Sequence, residues 1–306
     1  MTRGYAAALA TALLLSTTAP FIRYLTQTYG LPPLVLAFWR DVFGTLTLLL
    51  ILGIVRSSLL RADRHHLPFL IAFGLVLAVF NSLWTLSVAM NGAAVATVLA
   101  YSSAAFTALL GRWLLKEELG WAKLLAVLAS LAGCVLVSGA YLPSAWSANV
   151  GGILTGAFSG LLYAAYSLMG RAASQRGLNP WTSLLYTFGF ATLFLLAINL
   201  LAGGAIPGTA SRPADFLWLG NSASGWGILF LLAAGPTLAG YGMYNVSLSY
   251  LPSSVANLIV TLEPAFTALI AYVFLAERLT WMQIAGSVII LGGVAFLRLY
   301  EGRRAR

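Results

Sequence analysis

Residues 92–133 read GAAVATVLAYSSAAFTALLGRWLLKEELGWAKLLAVLASLAG, and residues 252–293 read PSSVANLIVTLEPAFTALIAYVFLAERLTWMQIAGSVIILGG. A shift of 160 residues superimposes the two without a gap. Val95 then meets Val255 and Ala96 meets Ala256, the run from Ala105 to Leu109 repeats as Ala265 to Leu269, and Glu117, Leu119, Trp121 and Gly133 return as Glu277, Leu279, Trp281 and Gly293. The chain is a duplication of an apolar unit. In lipid, duplicated units of this kind place a binding site near the midplane, between the halves.

Composition sets the environment. Hydrophobic residues make up 60% of the 306, charged residues only 8%, and the mean hydropathy is +0.90. A soluble domain of this size cannot bury that much apolar surface, so the chain belongs in a bilayer. Each span needs about 20 mostly apolar residues. Ten such runs are expected, near 5–25, 33–54, 67–88, 93–115, 121–141, 150–171, 180–203, 225–249, 253–275 and 281–299. They are continuous and rich in Leu and Ala, without the period-two alternation of a membrane barrel. The fold class is therefore an all-α integral membrane bundle. The first run, with Arg3 before it and small residues near Ser16 to Ala19, has some features of a secretory signal; it is read as a retained span because it completes the first repeat. Cys134, alone in an apolar stretch, does not suggest a disulfide framework.

A weaker match extends the repeat towards its start. At a shift of 147, Gly30, Leu31 and Pro33 meet Gly177, Leu178 and Pro180, and Thr45, Leu46, Leu48 and Leu49 meet Thr192, Leu193, Leu195 and Leu196. The longer polar loop around Gly203 to Ser224 accounts for the difference between the two shifts. Two units of five spans are expected, residues 1–145 and 146–306, and an odd number of spans inverts the second. Charges agree with the inversion: Arg112, Lys116 and Lys123 become Tyr272, Ala276 and Gln283, while Glu118 becomes Arg278. With the N-terminus in the cytoplasm, thirteen basic residues fall on the cytoplasmic side (Arg3, Arg56, Arg61, Arg64, Arg112, Lys116, Lys123, Arg171, Arg176, Arg298, Arg303, Arg304 and Arg306) against three outside (Arg23, Arg212 and Arg278). The net charge of +9 thus reads as a topology signal and as contact with anionic lipid, not as a nucleic-acid footprint.

Polar and aromatic residues at helix centres are costly in lipid and mark candidate cavity walls. Thr97, Tyr101 and Ala108 share a face of the fourth span, and their equivalents in the ninth are Asn257, Thr261 and Ala268. Asn81, Trp84 and Thr85 in the third span correspond to Tyr241, Tyr244 and Asn245 in the eighth. The sixth span adds Tyr163, Tyr166 and Ser167, and the first adds Ser16, Thr17 and Thr18. The candidate substrate-binding set is Asn81, Trp84, Tyr101, Tyr163, Tyr166, Tyr244 and Asn245. Helix packing, and interhelical hydrogen bonding by the two asparagines, remain open for the same residues. Trp39, Trp113, Trp121, Trp146, Trp181, Trp218, Trp226 and Trp281 lie near span ends, where an interface belt explains them.

Three charges fall inside spans: Arg40, Asp41 and Glu263. Neighbours on a helix point about 100° apart, so Arg40 and Asp41 are expected to need other partners. Arg40 could meet a substrate carboxylate or an internal acid. Glu263 could couple transport to protons, or cap backbone groups freed by Pro264. Pro20, Pro236 and Pro264 interrupt their helices, while Gly156, Gly160, Gly235, Gly240 and Gly242 suit either hinges or close packing.

Several chemistries find no support in the sequence. Lys116 and Lys123 sit in no Gly-rich phosphate loop, so an ATP-driven pump is excluded for this chain alone. His65 and His66 lack companions at metal-ligand spacing, and no Ser-His-Asp set or Gly-x-Ser-x-Gly elbow is visible. No catalytic residues, metal or cofactor are expected.

The ten-span layout, the Leu262-Glu263-Pro264 step followed by small residues, the Glu277-Arg278-Leu279-Thr280 turn and the Gly-rich last span resemble the drug/metabolite transporter superfamily and its EamA-type exporters. In character the chain is most similar to the bacterial branch that includes aromatic amino-acid exporters. The resemblance covers essentially the whole chain. It implies two inverted five-helix repeats around a central cavity, walled by the third, fourth, eighth and ninth spans with the first and sixth, and alternating access by rocking. It also implies a secondary exporter of small amphipathic metabolites, most of all amino acids including hydrophobic or aromatic ones; drug cations and sugar phosphates are the alternatives within the superfamily, and a scaffold or an intramembrane enzyme the alternatives outside it. The expected partners are a small-molecule substrate and the lipid bilayer, with the chain a monomer or weak dimer in a bacterial inner membrane and both termini cytoplasmic. Ser103-Ala104 stands in the first repeat where Glu263-Pro264 stands in the second, which departs from members carrying the step twice.

Overall fold

A computed structural model describes residues 2–146, 150–275 and 280–304, so the Glu277 to Leu279 part of the expected turn lies outside the described residues. Thirteen α-helices follow one another: α1 Thr2–Leu15, α2 Thr18–Thr28, α3 Pro33–Val55, α4 Leu67–Tyr101, α5 Ser103–Leu114, α6 Trp121–Ser138, α7 Val150–Gln175, α8 Pro180–Ala202, α9 Ala223–Leu232, α10 Leu238–Tyr250, α11 Ser253–Val260, α12 Glu263–Leu275 and α13 Trp281–Arg304. Their ends follow local chemistry. Pro33 and Pro180 open α3 and α8, where a missing N–H costs nothing, and the Asn179 side chain caps the amide of Trp181 at 3.0 Å. Gly139 and Gly203 close α6 and α8 in the left-handed region, with φ of 75° and 51°.

Nine helices among the described residues are long and apolar enough to cross a membrane. The sequence predicts separate third and fourth spans, whereas α4 is helical from Leu67 to Tyr101. It is not straight. A straight helix would hold Ser87 and Leu99 roughly 18 Å apart, yet a Cβ at Gly156 of α7 would lie 2.7 Å from Ser87 Oγ and 2.5 Å from Leu99 Cδ1. The chain doubles back between them, and the returning limb continues through α5 as the remaining crossing.

Three-dimensional contacts repeat the sequence duplication. A Cβ at Gly133 of α6 would lie 2.7 Å from the Gly286 carbonyl of α13, and one at Gly293 of α13 would lie 3.3 Å from the Ala126 carbonyl of α6. Adding 160 to Ala126 and to Gly133 gives Gly286 and Gly293, so these two contacts are images of each other. Likewise α1 packs on α10 as α7 packs on α4. Such mates are what a two-fold relation between inverted repeats generates.

Four spans are broken. α1 stops at Leu15 and α2 starts at Thr18, because Pro20 has no N–H for the Ser16 carbonyl; Thr267 Oγ1 of α12 donates to that carbonyl at 2.9 Å instead. α4 gives way to α5 at Ser102, and α11 to α12 at Thr261–Leu262, again at equivalent positions. Between α9 and α10 the turns widen over Ala233–Thr237, with Gly235 outside helical geometry (φ −86°, ψ −105°) beside Pro236. Gly235 is therefore a true helix break, but the other expected hinge glycines are packing sites. A Cβ at Gly240 would press on Leu15, at Gly242 on the Trp181 ring, at Gly156 on Leu99, and at Gly160 on Ser102 and the Leu99 carbonyl. The break at Ser102 also separates Ala108 from the face carrying Thr97 and Tyr101.

The interface-belt reading divides. Trp113, Trp121, Trp281 and Trp218 are exposed, as a belt requires. Trp39 and Trp226 instead pack edge to face at 5.1 Å, and Trp39 Nε1 donates to the Phe216 carbonyl at 2.6 Å. Trp181 fits against Gly242. The Trp146 side chain lies outside the described residues. Lys123, counted among the cytoplasmic charges, is buried, and Nζ donates to the Glu118 carbonyl at 2.6 Å and to Ser254 Oγ at 3.1 Å.

Candidate functional site

A small cavity lies between the repeats. Leu15 and Thr18 enter it from either side of the α1–α2 break, Arg40 from α3, Phe80 and Trp84 from the outgoing limb of α4, and Thr97, Ala100 and Tyr101 from the returning limb. The second repeat contributes Tyr163 from α7, Thr237 from the widened turn, Tyr241 from α10 and Glu263 at the start of α12. Most of these elements end or bend at the cavity. Broken helices leave backbone groups and polar side chains at membrane depth only where they face protein or a water-filled space.

The lining is aromatic and the aromatics brace one another. Phe80 stacks on Tyr163 with centroids 5.1 Å apart, and Tyr163 leans on Tyr244 at 5.7 Å. Trp84 lies under the Arg40 guanidinium at 5.8 Å. The Tyr101 hydroxyl donates to the Glu263 carboxylate, joining the fourth and ninth spans across the repeats. The Glu263 side chain is thus turned to Tyr101 and the cavity, and not to the backbone around Pro264.

Arg40 and Asp41 do approach each other, with Nε 3.8 Å from Oδ1. That separation is too long for a hydrogen bond, as their helical offset demands. The real partner of Asp41 is Asn81, whose Nδ2 donates to both carboxylate oxygens at 3.1 and 2.9 Å. Among the described residues, Arg40 Nε and Nη2 are buried without a hydrogen-bond partner.

Of the predicted site residues, Trp84, Tyr101 and Tyr163 line the cavity with Arg40 and Glu263. Asn81 stands behind Arg40, holding Asp41. Tyr166, Tyr244 and Asn245 form a buried polar seam further along α7 and α10. There Tyr166 donates to Asn245 Oδ1 at 3.2 Å, Ser167 and Tyr244 share a hydroxyl bond of 2.6 Å, Asn257 Nδ2 donates to Ser167 Oγ at 2.9 Å, and Ser103 Oγ donates to Asn257 Oδ1 at 3.1 Å. Phe80 was not visible in the pattern. Phe80 stands one residue before Asn81, among many apolar neighbours that carry no distinguishing signal.

Below the seam the repeats are clasped. Glu117, in the turn after α5, accepts from the Ser253 amide and hydroxyl at 2.7 and 2.7 Å through Oε1, and from the Ser254 amide and hydroxyl at 3.2 and 2.6 Å through Oε2. These are the free donors at the start of α11. The turn aims Glu117 there by an unusual route: Lys116 takes a left-handed φ of 55°, and the Glu117 amide returns to the Gly111 carbonyl at 3.0 Å. Ser253 through Pro264 are all buried, so this end of the bundle is closed. Among the described residues no three His, Cys, Asp or Glu side chains gather as a metal-ligand set.

Comparison with known proteins agrees with this architecture. The profile of the EamA-like transporter family matches residues 2–139 and 150–299. An uncharacterized transporter of Archaeoglobus fulgidus is 28% identical over 298 residues, 96% of each chain. The uncharacterized transporter YdfC of Bacillus subtilis is 26% identical, covering 88% of this chain and 83% of its own. A probable terminal-alkyne amino-acid exporter of Streptantibioticus cattleyicolor is 39% identical over 67 residues, 21% of this chain and 23% of its own. One solved crystal structure superimposes over the full length of both chains with a TM-score of 0.74 at 18% identity, a likeness of fold alone.

Proposed function

This chain belongs to the EamA-like transporter family, and we propose that within it the protein is a secondary exporter of small amphipathic metabolites, foremost neutral amino acids with hydrophobic or aromatic side chains. The observation that carries this reading is the cavity between the repeats, walled by Phe80, Trp84, Tyr101, Tyr163 and Tyr241, with hydroxyls and two opposite charges at its edges. Apolar and aromatic walls supply affinity for a hydrophobic side chain, and a few placed polar groups fix its orientation. The partial relative whose name gives an amino-acid substrate points the same way.

By the distribution of basic residues, the clasp at Glu117 faces the cytoplasm and both termini are cytoplasmic; we place the chain in a bacterial inner membrane. In the state described, the cytoplasmic end is closed. Opening it requires α11 to leave the turn after α5, and the breaks at Ser16–Thr17, Ser102, Gly235 and Thr261–Leu262 are places where spans can bend while the repeats rock. Phenylalanine bound at Trp84, Tyr101 and Tyr163 would pass from one side to the other through this exchange. Asn81, Tyr166, Tyr244 and Asn245 act in this scheme as the support behind the walls.

The test is counterflow in liposomes holding the purified chain, with labelled amino acids beside panels of drug cations and sugar phosphates. Exchange of neutral amino acids, weakened by Trp84→Ala in correctly folded protein, supports the reading. Movement of cations alone would transfer the site to a cationic substrate held by Glu263, and movement of sugar phosphates alone would refute the aromatic-side-chain assignment.

A further inference from the structure

Arg40 carries a guanidinium whose charge Asp41 balances at 3.8 Å but whose hydrogen-bond donors stay largely unused. The residue is 2% exposed, it lines the cavity, and its Nε and Nη2 have no hydrogen-bond partner among the described residues. Asp41 pairs with its charge but accepts no hydrogen bond from it: Nε stays 3.8 Å from Oδ1, while Asn81 Nδ2 donates to both Asp41 oxygens. Beside it lies Trp84, which orients the cation through its ring without accepting a hydrogen bond. Buried donors are almost always paired in folded proteins, so an unpaired fork at a cavity wall calls for an acceptor from outside the chain. Its planar donor geometry matches a carboxylate.

Glu263 provides the opposite charge on the same cavity, and the hydrogen bond its carboxylate accepts is from Tyr101. We propose that Arg40 is the docking group for the carboxylate of a zwitterionic amino acid and Glu263 the receiver of its ammonium, with the side chain laid against Trp84, Phe80 and Tyr163. The proposal rests on the reading of the cavity as an amino-acid site and adds to it which end of the substrate meets which wall. An α-amino acid with a free backbone is then the substrate class, in preference to amines, esters or acylated derivatives. A lone cation leaves the Arg40 donors without an acceptor, and a lone anion leaves the Glu263 charge unmatched.

Equilibrium binding to the purified full chain tests it, using phenylalanine, phenylalaninamide (no carboxylate) and N-acetylphenylalanine (no ammonium). The wild type is expected to bind both analogues at least tenfold more weakly than phenylalanine. Arg40→Gln should weaken phenylalanine at least tenfold while binding phenylalaninamide as the wild type does, and Glu263→Gln should show the mirror pattern with N-acetylphenylalanine. Arg40→Lys, which keeps the charge and loses the fork, should fall between. Equal wild-type affinity for acid and amide overturns the proposal, and so does Arg40→Gln weakening both ligands together, the signature of a merely structural arginine. Should Arg40→Gln not fold, the wild-type analogue series and Arg40→Lys decide the question alone. A protein that binds no amino acid overturns the functional reading itself; one that binds amino acids without regard to the carboxylate overturns only the Arg40 assignment.

Discussion

Replacing Glu117 by Gln should loosen the clasp between the repeats without changing its shape. Glu117 accepts four hydrogen bonds from Ser253 and Ser254, all between 2.6 and 3.2 Å. A glutamine keeps one oxygen and turns the other into an NH2 group facing donors. Two bonds are lost and two lose their charge assistance. At about 1 kcal/mol for a neutral hydrogen bond and about 1.5–3 kcal/mol for one to a charged group, discounted because Glu117 is half-buried, the loss is roughly 2–3 kcal/mol. An anion at a helix N-terminus adds a further few tenths. At about 1.4 kcal/mol per factor of ten, the population with α11 released rises roughly 30- to 150-fold. Amide hydrogen exchange of the Ser253 to Asn257 segment in nanodiscs reads this directly, since exchange through local opening follows the open population. Exchange of the segment within threefold of the wild-type rate would mean that Glu117 does not hold α11 closed.

Other substitutions probe the same architecture. Thr267→Val removes the donor that serves the Ser16 carbonyl, and an orphaned carbonyl should cost about 1–3 kcal/mol, read as a lower thermal midpoint that Thr267→Ser largely restores. Gly133→Ala places a Cβ 2.7 Å from the Gly286 carbonyl and should destabilise by about 1–3 kcal/mol, whereas Gly53→Ala, where a Cβ meets nothing within 4 Å among the described residues, should hold or slightly raise the thermal midpoint, because Ala favours a helix interior over Gly. Lys116→Gly relieves a left-handed φ of 55° and should raise stability by about 0.5–1 kcal/mol in the same assay, because the turn that aims Glu117 is kept.

The architecture was legible because its strongest constraint is chemical. Continuous apolar runs in a bilayer have to be helices, and the matched stretches at 92–133 and 252–293 fix which helices are equivalent. The pairing of Gly133 with Gly293 even lies on the contact between α6 and α13. The reversal inside α4 was harder to place, since helical hydrogen bonding continues where the apolar pattern suggests a gap. In the cavity, Trp84, Tyr101 and Tyr163 stand out as aromatics in apolar helices, but Tyr166 and Tyr244 give the same signal and are packed in the seam behind. Which face of a helix looks inward is decided by neighbours hundreds of residues away. Arg40 and Asp41 illustrate this: adjacency points to other partners, whereas the fold holds the two as a buried ion pair at 3.8 Å while also bringing Asn81 to Asp41 and the guanidinium to the cavity. Glu117 was visible as a repeat marker. Its task was readable only with Ser253 and Ser254, free donors opening α11 after Pro252, placed opposite it.

The most direct test of the central claim, that the cavity between the repeats holds the transported molecule, is binding of labelled phenylalanine to purified protein carrying Trp84→Ala, Tyr163→Ala or the lipid-facing control Trp113→Ala. Trp84 and Tyr163 line the cavity, and Trp113 is 79% exposed. Affinity should fall at least tenfold in both cavity variants and stay unchanged in the control. Wild-type affinity in both cavity variants, with their folding verified, would contradict that claim.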